Sequence, residues 1–482
     1  MLEDALRSVR KYYYNSPSFI QKSIGSAYRM LPLKYRLGSD YIIYKKLLET
    51  SENWSSQQIC DYQFEQIKLT LSTAERWIPY YQKSFAEYGV KANDFKALED
   101  IVKFPVMDKQ DVKDNYEDLV NPNIPKWKHL ITTTGGSTAA PMKFLHVKGL
   151  TRSKEKAFIY QGWSRVGYKP GAKAIQLKGR SVGNPEKGVF WEFEAIQNIL
   201  EMDSNYLTTD YLPAYIAAMR DFRAEYIIAF PSSIYQVAKY IRDEKIDFPP
   251  IKAIMLASEN VYPWQRETIE EVFQCRTFSH YGHSEMILLG MEAPDSHDLL
   301  FFPEYGYLEV LDESLFPITK TGEKGQIIGT SFNNELMPFI RYKTQDYCEL
   351  GQQHSTFNYP TIKDVEGRLQ EFIVTKDNRH ISICTMGAAH FDVLDHVHET
   401  QYYQDKPGHV TFRVVPKKGY CDKDKSKILN ALNEKLKYSA DVCVEEVKSI
   451  ERTRSGKHMM IIQKIPIQVL EGTQDLVLKE NL

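Results

Sequence analysis

The chain has 482 residues, 43% of them hydrophobic and 26% charged, with a formal net charge of −2. That length is too great for one comfortable core, so two or more domains are expected, and the composition is that of an ordinary globular protein. A net charge this close to zero gives no electrostatic case for nucleic acid or an anionic membrane as the main partner.

The opening Met1-Leu2-Glu3-Asp4 is acidic and lacks the basic-then-apolar pattern of a secretory signal. No apolar run approaches the length of a membrane span, and a cytoplasmic protein is expected. The stretch 18–37 is mildly amphipathic and basic, and reads as a packed or edge helix. The first hundred residues read as helical, with aromatic anchors between Trp54 and Phe85. The clearest architecture begins at Tyr226-Ile227-Ile228-Ala229-Phe230, a short apolar run. Pro231-Ser232-Ser233 supplies helix-starting chemistry, and Ile234, Val237, Ala238 and Ile241 recur at helical spacing. A second apolar run spans 253–257, Pro263 opens a helix through Phe273, and Arg276-Thr277-Phe278 begins a third strand. This rhythm implies parallel strands with crossover helices. Ligands of such sheets bind beyond the carboxyl ends of the strands, where Ser258-Glu259 and Tyr281-Gly282-His283-Ser284-Glu285 fall.

From 305 to 350 the pattern changes to short alternating strands, with a turn at 321–325. After Gly367-Arg368 a compact α+β unit is expected: a strand at 409–415, a helix at 424–437, and strands at 441–447 and 459–465. The boundary is placed at 366–370, dividing a large unit, 1–366, from a small one, 367–482. Six cysteines are scattered without a Cys-x-x-Cys pair, which argues against a disulfide framework or zinc ribbon.

Three segments carry chemistry. Thr133-Thr134-Gly135-Gly136-Ser137-Thr138 is a loop whose glycines admit close backbone approach and whose hydroxyls donate to phosphate oxygens. It is followed by Ala139-Ala140-Pro141, with the cation Lys143 nearby, and is not a Walker loop. Tyr281-Gly282-His283-Ser284-Glu285 offers a carboxylate at a strand end. It is not a nucleophile elbow, because Met286 stands where Gly-x-Ser-x-Gly requires glycine. Arg454-Ser455-Gly456-Lys457 is a late basic turn. Arg341-Tyr342-Lys343-Thr344-Gln345-Asp346 and Gly367-Arg368 lie between the last two. The cluster His390, Asp392, Asp395, His396, His398 and Glu399 matches no metal motif, and reads as packing or a solvated helix face.

In this order the segments resemble the adenylate-forming superfamily of acyl-CoA synthetases, and within it the phenylacetate-CoA ligase-like, CapK-like branch associated with capsule biosynthesis. The resemblance implies an α/β fold. A large N-terminal adenylate-forming domain with a parallel sheet, helices and a short β-subdomain precedes a small mobile α+β C-terminal domain. It implies ATP and Mg²⁺ as cofactors. The loop Thr133 to Thr138, with Lys143, Ser258, Glu259, Gly282, His283 and Ser284, would then line the nucleotide and acid site. Glu285 is the magnesium ligand, Tyr281 lies near adenine, and Asp346 accepts from the ribose hydroxyls. Arg368 sits at the interdomain junction, and Lys457 reaches the α-phosphate and the attacking carboxylate. The implied substrate is a small carboxylic acid. The implied acceptor is coenzyme A, a carrier-protein thiol or an amino sugar, in surface-polysaccharide biosynthesis. Two departures, Ala139-Ala140 for Gly-Lys and Gln345 for Gly, support a rival reading as a degenerate nucleotide- or acyl-binding protein. Some relatives hold zinc near the Tyr281 turn. Cys275 and His280 are present here, but Met291-Glu292-Ala293 lacks the further cysteine, so no zinc is expected.

Overall fold

The computed structural model describes residues 16–133, 142–178, 182–207, 209–258, 261, 263–366, 372–376, 380–382, 394, 396–436, 438–451, 459 and 461–465. The chain opens on α1 (Ser18–Met30), α2 (Leu33–Leu37), α3 (Ser39–Ser51), α4 (Ser56–Trp77) and α5 (Pro79–Tyr88), with a short α6 (Lys109–Asp114) after them. α4 begins where the Ser55 hydroxyl accepts from the Gln58 N–H at 3.3 Å and the Gln58 side chain accepts from the Ser55 N–H at 2.9 Å. Two donors that the first turn cannot satisfy are thus paired reciprocally. Its buried Ile59, Gln63, Ile67, Leu71 and Ala74 follow one face at three- and four-residue spacing. A hairpin, β1 (His129–Thr133) and β2 (Lys143–Val147), and the helix α7 (Leu150–Ser164) lead into the main sheet. Among the described residues no helix is long and apolar enough to cross a membrane.

The sheet is built from β3 (Ala174–Leu177), β4 (Trp191–Glu194), β5 (Ile199–Met202), β6 (Tyr226–Ala229), β7 (Ala253–Leu256), β8 (Arg276–Gly282), β9 (Leu289–Glu292), β10 (Leu299–Phe301), β11 (Gly306–Leu311), β12 (Lys324–Ser331), β13 (Tyr342–Leu350) and β14 (Thr361–Glu366). Their order is β11-β12-β13-β14-β10-β9-β8-β7-β6-β3-β5-β4. β6, β7 and β8 run parallel, as the sequence rhythm predicts, and β5 and β3, which it did not single out, extend the parallel set; the crossovers run through α8 (Leu212–Phe222), α9 (Pro231–Asp243) and α10 (Pro263–Phe273). Alternate residues feed two cores. Ile228, Met255 and Phe278 pack with Ala157, Phe158 and Trp163 of α7, whereas Leu177, Ala229 and Leu256 pack with the apolar faces of α8, α9 and α10. The alternating strands expected after 305 are present. They continue the large sheet, because β8 pairs antiparallel with β9 beyond its parallel stretch.

The small unit has the sheet order β19-β18-β17-β20, from β17 (Val397–Lys406), β18 (His409–Pro416), β19 (Asp441–Glu446) and β20 (Ile461–Gln463), with α11 (Asp422–Lys435) against it. Before it, β15 (Phe372–Val374) and β16 (His380–Ser382) form a hairpin. His398 and Glu399 lie on β17, which corrects the helix reading of that cluster. Gln401 and Gln404, both fully buried, take core positions there and hide the strand pattern. His396 pairs with Asp424 at 3.1 Å. His390, Asp392 and Asp395 lie outside the described residues, as does most of the expected boundary.

Two features of β13 set its shape. Arg341, just before it, is buried against Glu309, with Nη2 2.9 Å from Oε1, and its Nη1 donates to the Phe104 carbonyl at 2.7 Å. Between the pairs Gln326↔Tyr347 and Ile328↔Lys343 the ladder skips, so Ile327 faces the segment Thr344, Gln345 and Asp346. The Thr344 hydroxyl donates to the Ile327 carbonyl at 2.9 Å and accepts from the Asp346 N–H at 3.2 Å. Gln345 sits at φ 64°, the left-handed region in which glycine carries no steric cost. The substitution of Gln for the family's glycine therefore strains the bulge without removing it.

Glu309→Gln leaves Arg341 buried without its counter-charge and should cost about 3–5 kcal/mol in urea unfolding. A paired Arg341→Met, Glu309→Leu chain should lose much less. Gln345→Gly removes about 1–2 kcal/mol of left-handed strain against about 0.5–1 kcal/mol of added unfolded-state entropy, so stability should stay level or rise by about 1 kcal/mol. Gln345→Val, with a branched β-carbon, should lower it in the same measurement.

Candidate active site

The hairpin β1–β2 ends on the pair Thr133↔Lys143, which flank the hydroxyl- and glycine-rich segment in the sequence. Lys143 is exposed. Thr134, Gly135, Gly136, Ser137 and Thr138 lie outside the described residues, as do Glu259, Arg368 and Lys457. On β2, His146 is buried, and its Nε2 lies 3.1 Å from the Ser284 carbonyl oxygen. Burial lowers the His146 pKa, against the opposing pull of that carbonyl and of the Glu285 carboxylate. The neutral ring therefore donates to the carbonyl and ties the hairpin to the Tyr281–Glu285 turn. This residue was missed in the sequence reading. A polar side chain inside Phe144-Leu145-His146-Val147 was the available signal.

The turn itself is clamped from below. Ser331 Oγ and Asn333 Nδ2 both donate to the Met286 carbonyl, at 2.8 and 2.9 Å, and Met286 takes φ 56°. Gly282 and Ser284 are exposed, whereas Glu285 is 9% exposed. The Tyr281 hydroxyl donates to Asp346 Oδ2 at 2.7 Å and accepts from His283 Nε2 at 2.6 Å. His283 Nε2 is 3.6 Å from the same carboxylate oxygen. Tyr281, His283 and Asp346 are thus brought into one hydrogen-bonded group beside Glu285. Ser258 follows β7, exposed and at φ 67°.

These residues fit a nucleotide with a hard divalent cation. An exposed glycine-bearing turn, an aromatic ring and an acid suited to ribose hydroxyls adjoin a hairpin whose loop is rich in donors. Glu285 offers one carboxylate, as Mg²⁺ sites built largely from substrate phosphates and water require.

The small unit meets the large one through polar contacts. Gln236 Nε2 on α9 donates to Glu399 Oε1 at 2.7 Å, His398 Nε2 lies 3.2 Å from the Leu207 carbonyl, and Lys417 is 3.7 Å from Asp243. Within the small unit, Gln401 Nε2 donates to the carbonyls of Glu451 at 3.1 Å and Met459 at 2.9 Å. One buried amide thereby gathers both flanks of the segment that carries Lys457. Sequence reasoning did not single out Gln401.

The family described as the CapK C-terminal domain matches residues 373–464. Protein CapK of Staphylococcus aureus is 25% identical over 475 residues, covering 94% of this chain and 99% of that protein. The phenylacetate-coenzyme A ligase of Aromatoleum evansii is 24% identical over 453 residues, 87% of this chain and 97% of the ligase. Among solved structures, 2-hydroxyisobutyryl-CoA ligase in the postadenylation state with R3-HIB-AMP superposes with a TM-score of 0.67 at 17% identity, over 89% of this chain and 94% of that one. The same ligase with 2-HIB-AMP and CoA in the thioesterification state gives 0.55 over the same shares. Along nearly its whole length the chain is thus similar to CapK and to the phenylacetate-CoA ligases, and it has the fold of an adenylate-forming CoA ligase.

Proposed function

We propose that this adenylate-forming ligase activates a small carboxylic acid with ATP and passes the acyl group to a thiol, that of coenzyme A. The observation that carries the reading is the joining of three separated segments at one rim: His146 at Ser284, and Tyr281 and His283 at Asp346. In the first step a carboxylate oxygen attacks the α-phosphorus, the bond to the bridging oxygen breaks, and pyrophosphate leaves. In the second the thiol attacks the acyl carbon, the thiol proton passes to solvent base, and AMP leaves. The loop Thr133 to Thr138, with Lys143, donates to the phosphates, Tyr281 flanks the adenine, and Asp346 accepts from the ribose. Glu285 holds Mg²⁺, which when bound neutralises phosphate oxygens as charge moves onto the leaving group. Lys457 places an ammonium on the α-phosphate and the acid during the first step. We assign residues 1–366 to the nucleotide- and acid-binding domain and 367–482 to a domain that turns about Arg368 between the steps. We place the reaction in the cytoplasm and, by kinship with CapK, in surface-polysaccharide synthesis. The degenerate-binder reading is disfavoured, because the bulge at Gln345 still holds Asp346 against Tyr281.

Acid-dependent exchange of labelled pyrophosphate into ATP, over a panel of acids, tests the reading. No exchange with any acid would defeat it. Glu285→Gln should lower exchange by about 10²-fold or more with an unchanged melting temperature, and near wild-type exchange at low magnesium would remove the metal role. Lys457→Ala should nearly abolish exchange yet still consume supplied acyl-AMP with the thiol acceptor. Equal loss in both half-reactions would contradict a turning domain.

A further inference from the structure

The carboxyl ends of the parallel strands stop in step. Leu177↔Ala229, Ala229↔Leu256 and Leu256↔Ser279 form one row across β3, β6, β7 and β8. The ladder runs one residue further, since the Phe230 N–H donates to the Leu177 carbonyl at 3.0 Å and the Ala257 N–H to Ala229 at 3.2 Å. The next row is therefore Lys178, Phe230, Ala257 and His280. Residues in one row share a face of a pleated sheet. This face is the one that carries Ile228, Met255 and Phe278, under α7. Ligands of such sheets enter where this row lies, and here it adjoins Tyr281 and the turn to Glu285.

The row holds a lysine ammonium and one ring nitrogen without hydrogen-bond or ion-pair partners among the described residues; the His280 ring itself hydrogen-bonds the Leu256 backbone. Lys178 has neither, and burial alone pushes its ammonium down to about 8. His280 Nδ1 is buried with no hydrogen bond. Its ring, pushed down to about 3 by burial first and by the Lys178 charge second, stays neutral. The opposite face of β8 is built otherwise. There the buried Glu292 accepts from Arg266 at 2.6 Å and meets His297 at 2.9 Å and Arg276 at 3.5 Å, while Ser279 also donates to it. Where this fold buries a charge for its own stability it surrounds it with partners, as the cost of an unpaired ion requires. Lys178, half-buried at the strand ends, has none among the described residues.

We infer that Lys178 and His280 form the far wall of the acid pocket, and that the acid activated here carries a second anionic group, bound by the Lys178 ammonium. The inference rests on the adenylation reading. Three strand spacings separate Lys178 from His280 at the backbone, roughly 14 Å, and a lysine reaches back about 6 Å of it. Phe230 and Ala257, between the two polar groups, leave an apolar floor for the body of the molecule.

The experiment compares four probes of one shape: 4-carboxyphenylacetate, 4-phosphonophenylacetate, the neutral 4-carbamoylphenylacetate and phenylacetate. Pyrophosphate exchange and calorimetric binding are measured on the full chain, on Lys178→Met and on Lys178→Arg. One charge-assisted contact predicts a preference of about 10–100-fold in kcat/KM for a dianionic probe over the carboxamide. The carboxylate and phosphonate arms identify which anion is read. Lys178→Met should abolish the preference and leave phenylacetate unharmed or improved, and Lys178→Arg should restore part of it. Because the change removes a half-buried charge that has no partner among the described residues, the melting temperature of Lys178→Met should hold or rise. Dianionic probes that bind in a Lys178-dependent way without any exchange would defeat the adenylation reading and keep this one. Exchange that favours phenylacetate or the carboxamide and ignores Lys178→Met would do the reverse, and failure of every dianionic probe to bind would overturn the inference outright.

Discussion

One hydrogen bond, from the Tyr281 hydroxyl to Asp346 at 2.7 Å, requires the large sheet to curl. Tyr281 lies on β8 and Asp346 on β13, with β9, β10 and β14 between them. Four strand spacings would hold the two backbones roughly 19 Å apart in a flat sheet, beyond the combined reach of the side chains. Twist and the bulge at Gln345 bring the edges together. The rim of the site is therefore a product of sheet curvature. The bulge that strains Gln345 is also what turns the Asp346 carboxylate toward Tyr281.

β8 makes this possible by belonging to two ladders. From Arg276 to Ser279 it is the parallel partner of β7, and from His280 to Gly282 the antiparallel partner of β9. The first ladder ends level with its neighbours and leaves an open crevice beyond their carboxyl ends. The second carries the chain past that level, so Tyr281 and the turn to Glu285 stand over the crevice. A strand that ended with its parallel neighbours would have no support there.

Much of this was legible in the sequence because local chemistry and tertiary role agree. The run 226–230 followed by Pro231 can be little other than a buried strand feeding a helix, and the site segments appear in an order shared with a known superfamily. Gln345 is instructive in another way. As a departure from a pattern it looked like lost function, but its left-handed φ shows what glycine does at that position and how a larger residue occupies it at a cost. His146 and Gln401 stayed hidden because both act on backbone carbonyls remote in sequence, and a carbonyl leaves no trace in residue identity. The strand at 397–406 was hidden because buried glutamines occupy its core positions. Lys178 and His280 emerge only from register, which pairs residues a hundred positions apart.

The seam between the two units has its own consequence. None of the apolar cores among the described residues crosses it. It is held by Gln236 with Glu399, His398 with a carbonyl, and Lys417 with Asp243. Lys239 lies close by, pushed down to about 8 by burial and then by the repulsion of Lys417. An attachment made of attractions and one repulsion, all electrostatic, is tuned by mobile ions, whose screening length is about 8 Å at physiological strength. A seam of this kind weakens as salt rises, where an apolar one would hold or tighten.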